Sequence, residues 1–141
     1  MKSHLIYWPV LAQLLIPILV LMLNGKRKSD DVRSGEFDRE MAAMDNEAWS
    51  RPVVLTSKNL ANQFQLPVLF YVLCLILASI DAVAAVPLTV AWVFVVTRYI
   101  HAYVHVSTNY VPARMRAFLV GAASLIVLFV LTVQALADAH S

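Results

Sequence analysis

Long apolar runs separated by short polar segments dominate the pattern of hydrophobic and polar positions along this chain. Four runs are candidate membrane-spanning helices, and they cover about residues 5–23, 59–80, 82–105 and 117–137. Each has roughly the 20 helical residues that cross a hydrocarbon core about 30 Å thick. The third contains Arg98, and the other three contain no charged residue. The pattern predicts an all-α integral membrane protein, a bundle of four transmembrane helices that forms a single domain over residues 1–141.

Composition agrees with this prediction. The chain is 60% hydrophobic and 14% charged, whereas a soluble domain has about 25% charged residues. The first apolar run follows only Lys2 and precedes a basic segment, Asn24–Lys28, so it lacks the small-residue cleavage site of a signal peptide. We therefore expect it to be retained as a span. The net charge of +2 comes from segments beside the membrane, so nucleic-acid binding is not expected.

The distribution of Lys and Arg predicts the orientation in the membrane. Seven of them lie between Lys26 and Lys58, within the loop 24–58, and Arg114 and Arg116 lie between the third and fourth spans. The opposite side carries only Lys2. The positive-inside rule then places loops one and three in the cytoplasm and both termini outside.

The first loop contains apolar residues at helical spacing. Phe37, Met41, Met44 and Ala48 recur at i, i+4, i+7 and i+11, which is typical of one face of a helix. A short helix on the membrane surface would explain them. A solvated loop with scattered apolar residues explains them as well, and the sequence leaves both interpretations open.

Polar residues inside spans are costly, so their pattern is informative. One helical face is predicted to carry Arg98, His101, His105 and Asn109, and a second to carry Lys58, Asn62 and Gln65. Both faces lie at the cytoplasmic ends of their spans, close to Arg114 and Arg116. Such a cationic, donor-rich site suits an anionic ligand, and an arginine beside a thiol favours the thiolate.

Two other interpretations of these polar residues remain open. Arg98 and Lys58 can extend to the headgroups while the amides join neighbouring helices. His101 and His105 have the spacing of metal ligands, but no carboxylate or cysteine accompanies them and Arg98 would repel a cation. We therefore expect no metal.

Three segments resemble the MAPEG family, the membrane-associated proteins in eicosanoid and glutathione metabolism. Residues 59–71 (NLANQFQLPVLFY), preceded by Lys58, resemble the family's second helix. Residues 91–105 (AWVFVVTRYIHAYVH) resemble its third helix, and residues 109–118 (NYVPARMRAF) resemble the turn into its fourth. The resemblance extends from about Lys58 to the end of the chain.

The resemblance implies a homotrimer in the bilayer that binds glutathione as a co-substrate at its cytoplasmic side, between subunits. Asn62 and Gln65, with Lys58 beside them, would hold the polar groups of the peptide, and Arg98 and His101 would contact its carboxylates or neighbouring helices. Arg114 would be catalytic, because it would stabilise the thiolate for attack on a lipophilic electrophile from the bilayer. The resemblance is to bacterial-type members, which implies the inner (plasma) membrane.

Two positions depart from the family pattern. Gln65 stands where the family has a glutamate, and His105 stands where it often has a tyrosine. Three hypotheses follow. The first is a glutathione-dependent transferase or peroxidase, and the second is a non-catalytic membrane protein of the same fold that binds a lipid or a protein partner. The third is an unrelated transporter or channel subunit that uses the polar residues as a pathway.

Overall fold

The computed structural model describes residues 1–35 and 37–141, and most of them are helical. The α-helices in chain order are α1 (Tyr7–Ser34), α2 (Arg39–Met44), α3 (Arg51–Asn62), α4 (Leu66–Ser79), α5 (Ala85–Val106) and α6 (Val111–Ala139). Within the described residues, four segments are long and apolar enough to cross a membrane: Ser3–Ser34, Arg51–Ser79, Ala85–Val106 and Val111–Ala139. The predicted all-α bundle of four membrane-spanning helices is confirmed.

The first helix continues well past the apolar run that ends at Leu23. An ion pair one helical turn apart, Lys26 to Asp30 at 3.3 Å, accompanies the polar extension. The helix ends where Gly35 adopts a left-handed conformation, with φ of 65°, and donates its backbone N–H to the Asp31 carbonyl at 3.1 Å. Glycine tolerates this conformation at a helix C-terminus. Much of the predicted first loop is therefore helical.

The second span is interrupted, although its sequence predicts one continuous helix over 59–80. Helix α3 ends at Asn62, and α4 begins at Leu66, after Gln65 with φ of −103° and ψ of −108°. Pro67 explains the position of the break, because proline lacks an N–H for the carbonyl of residue 63 and its ring clashes there. The residue before a proline is also pushed away from helical geometry.

The segment between α1 and α3 folds back against the polar extension of α1. Asp38 caps α2 by accepting the backbone N–H groups of Glu40 and Met41. Asp31 accepts from the backbone N–H of Ser50 at 2.9 Å and from its hydroxyl at 2.7 Å. Loop and helix extension are thus joined by hydrogen bonds.

The predicted apolar face of this segment is not a feature of one helix. Helix α2 ends at Met44, and the next turn, Asn46–Ala48, is a separate 3₁₀ helix capped by Asp45. Met44 is 81% exposed, whereas Phe37 stacks on Trp49 with a centroid distance of 4.7 Å. Because Asp45 ends one helix and starts the next, the i+11 register is lost.

The core lies between α1, α4, α5 and α6 and is built from aromatic and aliphatic side chains. Phe70 stacks on Phe94 with a centroid distance of 4.6 Å and an interplanar angle of 16°. Leu77 and Leu128 are fully buried in the same cluster. Only 28–39% of the most hydrophobic window of each span is buried, so most of its apolar surface faces outward, as expected of helices in lipid.

Helices α5 and α6 share the most extensive interface of the bundle. At their crossing, a Cβ atom added to Gly121 would lie 2.8 Å from the Thr97 hydroxyl oxygen. That hydroxyl donates to the Phe94 carbonyl of its own helix at 2.7 Å. Gly121 therefore sets how closely the two helices approach, which is a frequent role of small residues between spans.

We expect Gly121→Ala to destabilise the protein by about 1–3 kcal/mol, the usual cost of overpacking. The free energy of unfolding would be measured by SDS titration in mixed micelles. Thr97→Ala in the same chain should recover most of the loss, because it removes the clashing oxygen. Gly25→Ala is the control, since no atom lies within 4 Å of its added Cβ. A double variant no more stable than Gly121→Ala would contradict this account of the crossing.

Candidate functional site

Helix α3, the last turns of α5 and the first turns of α6 meet at one end of the bundle. Arg27 holds two of these elements together. Its Nη1 donates to the Pro52 carbonyl in α3 at 2.8 Å, and its Nη2 donates to the Val106 carbonyl at the end of α5, also at 2.8 Å. Cationic side chains commonly bind the free carbonyls of a helix C-terminus. The charged segment 24–52 thus lies at the same end as the predicted site.

A cavity of about 230 Å³ opens between these three helices. Its lining consists of Asn62 from α3, His101 and His105 from α5, and Arg114, Met115 and Phe118 from α6. The structure therefore brings together four of the residues that the sequence predicted for the site: Asn62, His101, His105 and Arg114. Met115 and Phe118 were missed, because apolar residues in an apolar helix carry no distinguishing signal.

Arg98 lies behind the cavity wall. Its side chain is completely buried (0% exposed), and its Nη2 donates to Asn62 Oδ1 at 2.5 Å. Among the described residues, Nε and Nη1 of Arg98 have no hydrogen-bond partner, and the ion pairs found there do not include Arg98. Asn62 therefore joins the buried guanidinium to the cavity.

His105 is attached to a chain of buried amides. Asn59 Nδ2 lies 3.1 Å from His105 Nδ1, Gln63 Nε2 donates to Asn59 Oδ1 at 3.0 Å, and Gln13 Nε2 donates to Gln63 Oε1 at 3.4 Å. All four side chains are buried. This chain of hydrogen bonds, here called the amide chain, links α1 and the end of α3 to α5. The predicted site did not include Gln13, Asn59 or Gln63, although amides inside apolar spans were a usable signal.

Arg114 is held at the cavity by the turn before α6. Its Nη1 donates to Asn109 Oδ1 at 2.9 Å. Asn109 has a φ of 53°, and its backbone N–H bonds to the Val104 carbonyl at 2.7 Å. The prediction that Asn109 continues the α5 face was wrong, because α5 ends at Val106. Asparagine is among the few residues that adopt this left-handed conformation readily.

Lys58 and Gln65 do not line this cavity. Lys58 Nζ forms an ion pair with Glu47 Oε1 at 3.0 Å, and both side chains are exposed. Gln65 is exposed at the start of α4. The predicted common face of Lys58, Asn62 and Gln65 assumed a continuous helix, and the break after Asn62 turns Gln65 away from it.

The cavity has a cationic lining without a carboxylate. Arg114 is the permanent charge at its wall, and the imidazoles of His101 and His105 lie edge to face with centroids 5.6 Å apart. In the described part of the chain, no group of three His, Cys, Asp or Glu side chains is placed to hold a metal ion. The arrangement offers hydrogen-bond donors and one positive charge to a ligand, with apolar contact from Met115 and Phe118.

Comparison with known families identifies the fold. The sequence profile of the MAPEG family matches residues 5–134, which is nearly the whole chain. The chain belongs to the MAPEG family. Membership in MAPEG makes it an integral membrane protein of that family, and the match includes the first helix, which carried no specific resemblance. No curated protein and no solved structure matches the chain.

The contact between Arg98 and Asn62 leads to a prediction about stability. We expect Asn62→Leu to destabilise this MAPEG chain by about 2 kcal/mol or more, because it removes the partner of a buried charge. Arg98→Met removes the charge itself and keeps an apolar side chain of similar length, so it should cost less. Unfolding of the ligand-free protein would be followed by SDS titration.

The double variant Asn62→Leu with Arg98→Met provides the control. It should be more stable than Asn62→Leu alone, because no unpaired guanidinium remains in the interior. If the double variant were the least stable of the three, the buried charge would not be the source of the loss.

Proposed function

We propose that this MAPEG protein binds glutathione in the cavity between α3, α5 and α6 and uses its thiolate against lipophilic electrophiles. One observation carries the proposal. Asn62, His101, His105 and Arg114 come from three different helices and converge on one cavity whose lining contains no carboxylate. A cationic, donor-rich lining suits a ligand with carboxylates and an ionisable thiol.

Arg114 is the residue that we assign to the sulfur. It is half-buried, its Nη1 is engaged by Asn109, and the other guanidinium N–H groups have no hydrogen bond within the described residues. A fixed positive charge favours the thiolate over the thiol, and the thiolate is the nucleophile. Asn62 and His101 then serve the polar groups of the peptide, while Met115 and Phe118 provide apolar surface for an electrophile.

The size of the cavity supports a shared site. Ligand pockets usually have about 300–1,000 Å³, and this cavity has about 230 Å³. We infer that one chain holds only part of the tripeptide and that a neighbouring subunit of a homotrimer completes the site. Lys58 and Gln65, which are exposed in the single chain, would then contact glutathione or the neighbouring subunit.

The proposed chemistry balances without a resident cofactor. In a transfer, the thiolate sulfur bonds to the electrophilic carbon, the leaving group departs with its electron pair, and the thiol proton passes to solvent. In a peroxidase reaction, two glutathione molecules reduce one lipid hydroperoxide, giving the disulfide, an alcohol and water. Both reactions require the same activated sulfur, which is why one site serves both.

The orientation that we propose places the site in the cytoplasm. The cavity lies at the same end of the bundle as the basic segment 24–52, since Arg27 of that segment bonds to the end of α5. The positive-inside rule assigns that end to the cytoplasm, where glutathione keeps thiols reduced. Both termini would then be outside the plasma membrane.

Calorimetry on the detergent-purified protein tests the proposal. We expect saturable glutathione binding to the unmodified protein and its loss in Arg114→Ala, because the positive charge at the sulfur is removed. Arg116→Ala is the matched control, since Arg116 is an exposed arginine of the same helix and is not part of the cavity lining. We expect it to bind normally.

Two results would contradict the proposal. The first is an absence of glutathione binding at millimolar concentration in protein whose fold is intact. The second is equal weakening by Arg114→Ala and Arg116→Ala, which would indicate non-specific attraction of an anion. Where binding is found, conjugation of a chlorinated dinitrobenzene to glutathione separates an enzyme from a binding protein.

A second candidate function, lipid binding without catalysis, rests on a groove between α4 and α6. The groove has a volume of about 500 Å³ and an entirely apolar lining: Leu69, Val72, Leu73, Ile76, Leu125, Ile126 and Phe129. An acyl chain is the occupant that such a lining suits in a bilayer. Its near end, at Leu125, lies about two helical turns along α6 from the cavity residue Phe118.

Native mass spectrometry tests this second function. If the groove holds a lipid, the purified protein should retain it, and Ile126→Trp should reduce the retained amount several-fold because the larger side chain fills the groove. Val127→Trp is the control, because Val127 is exposed and outside the groove. Equal lipid retention by both variants would show that the groove is not a lipid site.

A further inference from the structure

The amide chain has a direction. Gln13, Gln63 and Asn59 each donate through the amide nitrogen to the next member, and the series ends at His105 Nδ1. We propose that Asn59 is a positioning residue that fixes His105 as the neutral tautomer with hydrogen on Nε2. His105 would then present an N–H donor to the cavity.

The hydrogen-bond inventory of the amides determines the tautomer. A side-chain amide has an acceptor oxygen and a donor nitrogen. Asn59 Oδ1 is occupied by Gln63 Nε2, so the group of Asn59 that faces His105 is its donor nitrogen. His105 Nδ1 must accept that hydrogen bond, and an imidazole that accepts at one nitrogen carries its hydrogen on the other. An imidazolium has hydrogen on both nitrogens and cannot accept.

Arg98, which can only donate hydrogen bonds, lies near the Gln13 end of the amide chain, with Tyr71 between them. Arg98 interacts electrostatically with Tyr71, and Tyr71 lies close to Gln13. Among the described residues, Gln13 Oε1 and the Tyr71 hydroxyl lack a hydrogen-bond partner. Arg98 can only donate, so it favours a Tyr71 hydroxyl that turns its hydrogen away, towards an acceptor such as Gln13 Oε1. This leaves the Gln13 nitrogen to donate to Gln63, in agreement with the observed direction.

The free nitrogen of His105 is open to the cavity. His105 lines the cavity. Within the described chain, Nδ1 of His101 is a buried atom without a hydrogen-bond partner, and Nε2 of His105 is not such an atom. A hydrogen on His105 Nε2 therefore gives the cavity a neutral donor in addition to Arg114. This inference rests on the proposed function only in the identity of the acceptor, which would be a carboxylate or the thiolate sulfur of glutathione.

The tautomer can be measured on the ligand-free protein. The chain would be labelled with ¹⁵N-histidine, and long-range ¹H–¹⁵N spectra distinguish the protonated ring nitrogen from the bare one. His105→Gln identifies the signals of His105. We expect the hydrogen on Nε2 in the unmodified protein, and a hydrogen on Nδ1 would overturn the proposal without any variant.

Asn59→Asp is the decisive variant, because a carboxylate has nearly the same shape and can only accept. We expect the hydrogen of His105 to appear on Nδ1, with or without a second one on Nε2. Thr56→Val is the matched control, since Thr56 is buried in the same helix and its hydroxyl bonds to Asn24 rather than to His105. The His105 signals should be unchanged in Thr56→Val, and a change of tautomer there would contradict a specific role of Asn59.

Glutathione titration of the same samples separates this inference from the proposed function. We expect binding to weaken at least about tenfold in Asn59→Asp, the order of effect of one hydrogen bond to a charged group, and to be unchanged in Thr56→Val. An Nε2 hydrogen in a protein that binds no glutathione would refute the proposed function and leave the tautomer assignment standing. Glutathione binding by a protein with hydrogen on Nδ1 would refute the tautomer assignment and leave the proposed function standing.

Discussion

The burial of Arg98 is the constraint on which the polar half of the structure depends. A guanidinium remains charged, and placing it inside a bilayer-spanning bundle is costly unless polar groups surround it. No carboxylate does so among the described residues, and the contact that the structure provides is the amide oxygen of Asn62. Tyr71 lies near this group and Gln13 lies near Tyr71, and from Gln13 a series of amides leads to His105. The charge thus organises the interior, and the cavity lies on the far side of Asn62.

Much of the fold could be predicted from the sequence, because the solvent imposes the pattern. A bilayer requires long apolar helices with their backbone groups satisfied internally, and hydropathy records this directly. The cationic cluster was predictable for the same reason, since each polar residue in a span is an exception that needs a partner. Asn62, His101, His105 and Arg114 do meet at one cavity. The roles assigned to them remain predictions.

Two of the errors share one physical origin, because each predicted polar face follows a helix that does not continue. Pro67 breaks the second span, and α5 ends at Val106, before the left-handed turn at Asn109, so the predicted face is incomplete. Asn59 was missed for a second reason, because its partner His105 is on another helix and spacing along one helix contains no information about contacts between helices. Met115 and Phe118 could not be predicted, because the sequence does not distinguish them from apolar residues that face lipid.

The interruption at residues 63–65 also has a mechanical consequence. A continuous helix tilts as one body, whereas two helices separated by a break can tilt independently. Bilayers differ in thickness, and tilting is one way in which a long span adapts to a thinner bilayer. Because α4 begins after the break, its tilt can change while α3 stays fixed to α1 through Asn24 and Thr56. The distances from Asn59 and Asn62 to α5 can therefore stay the same when the thickness of the membrane changes.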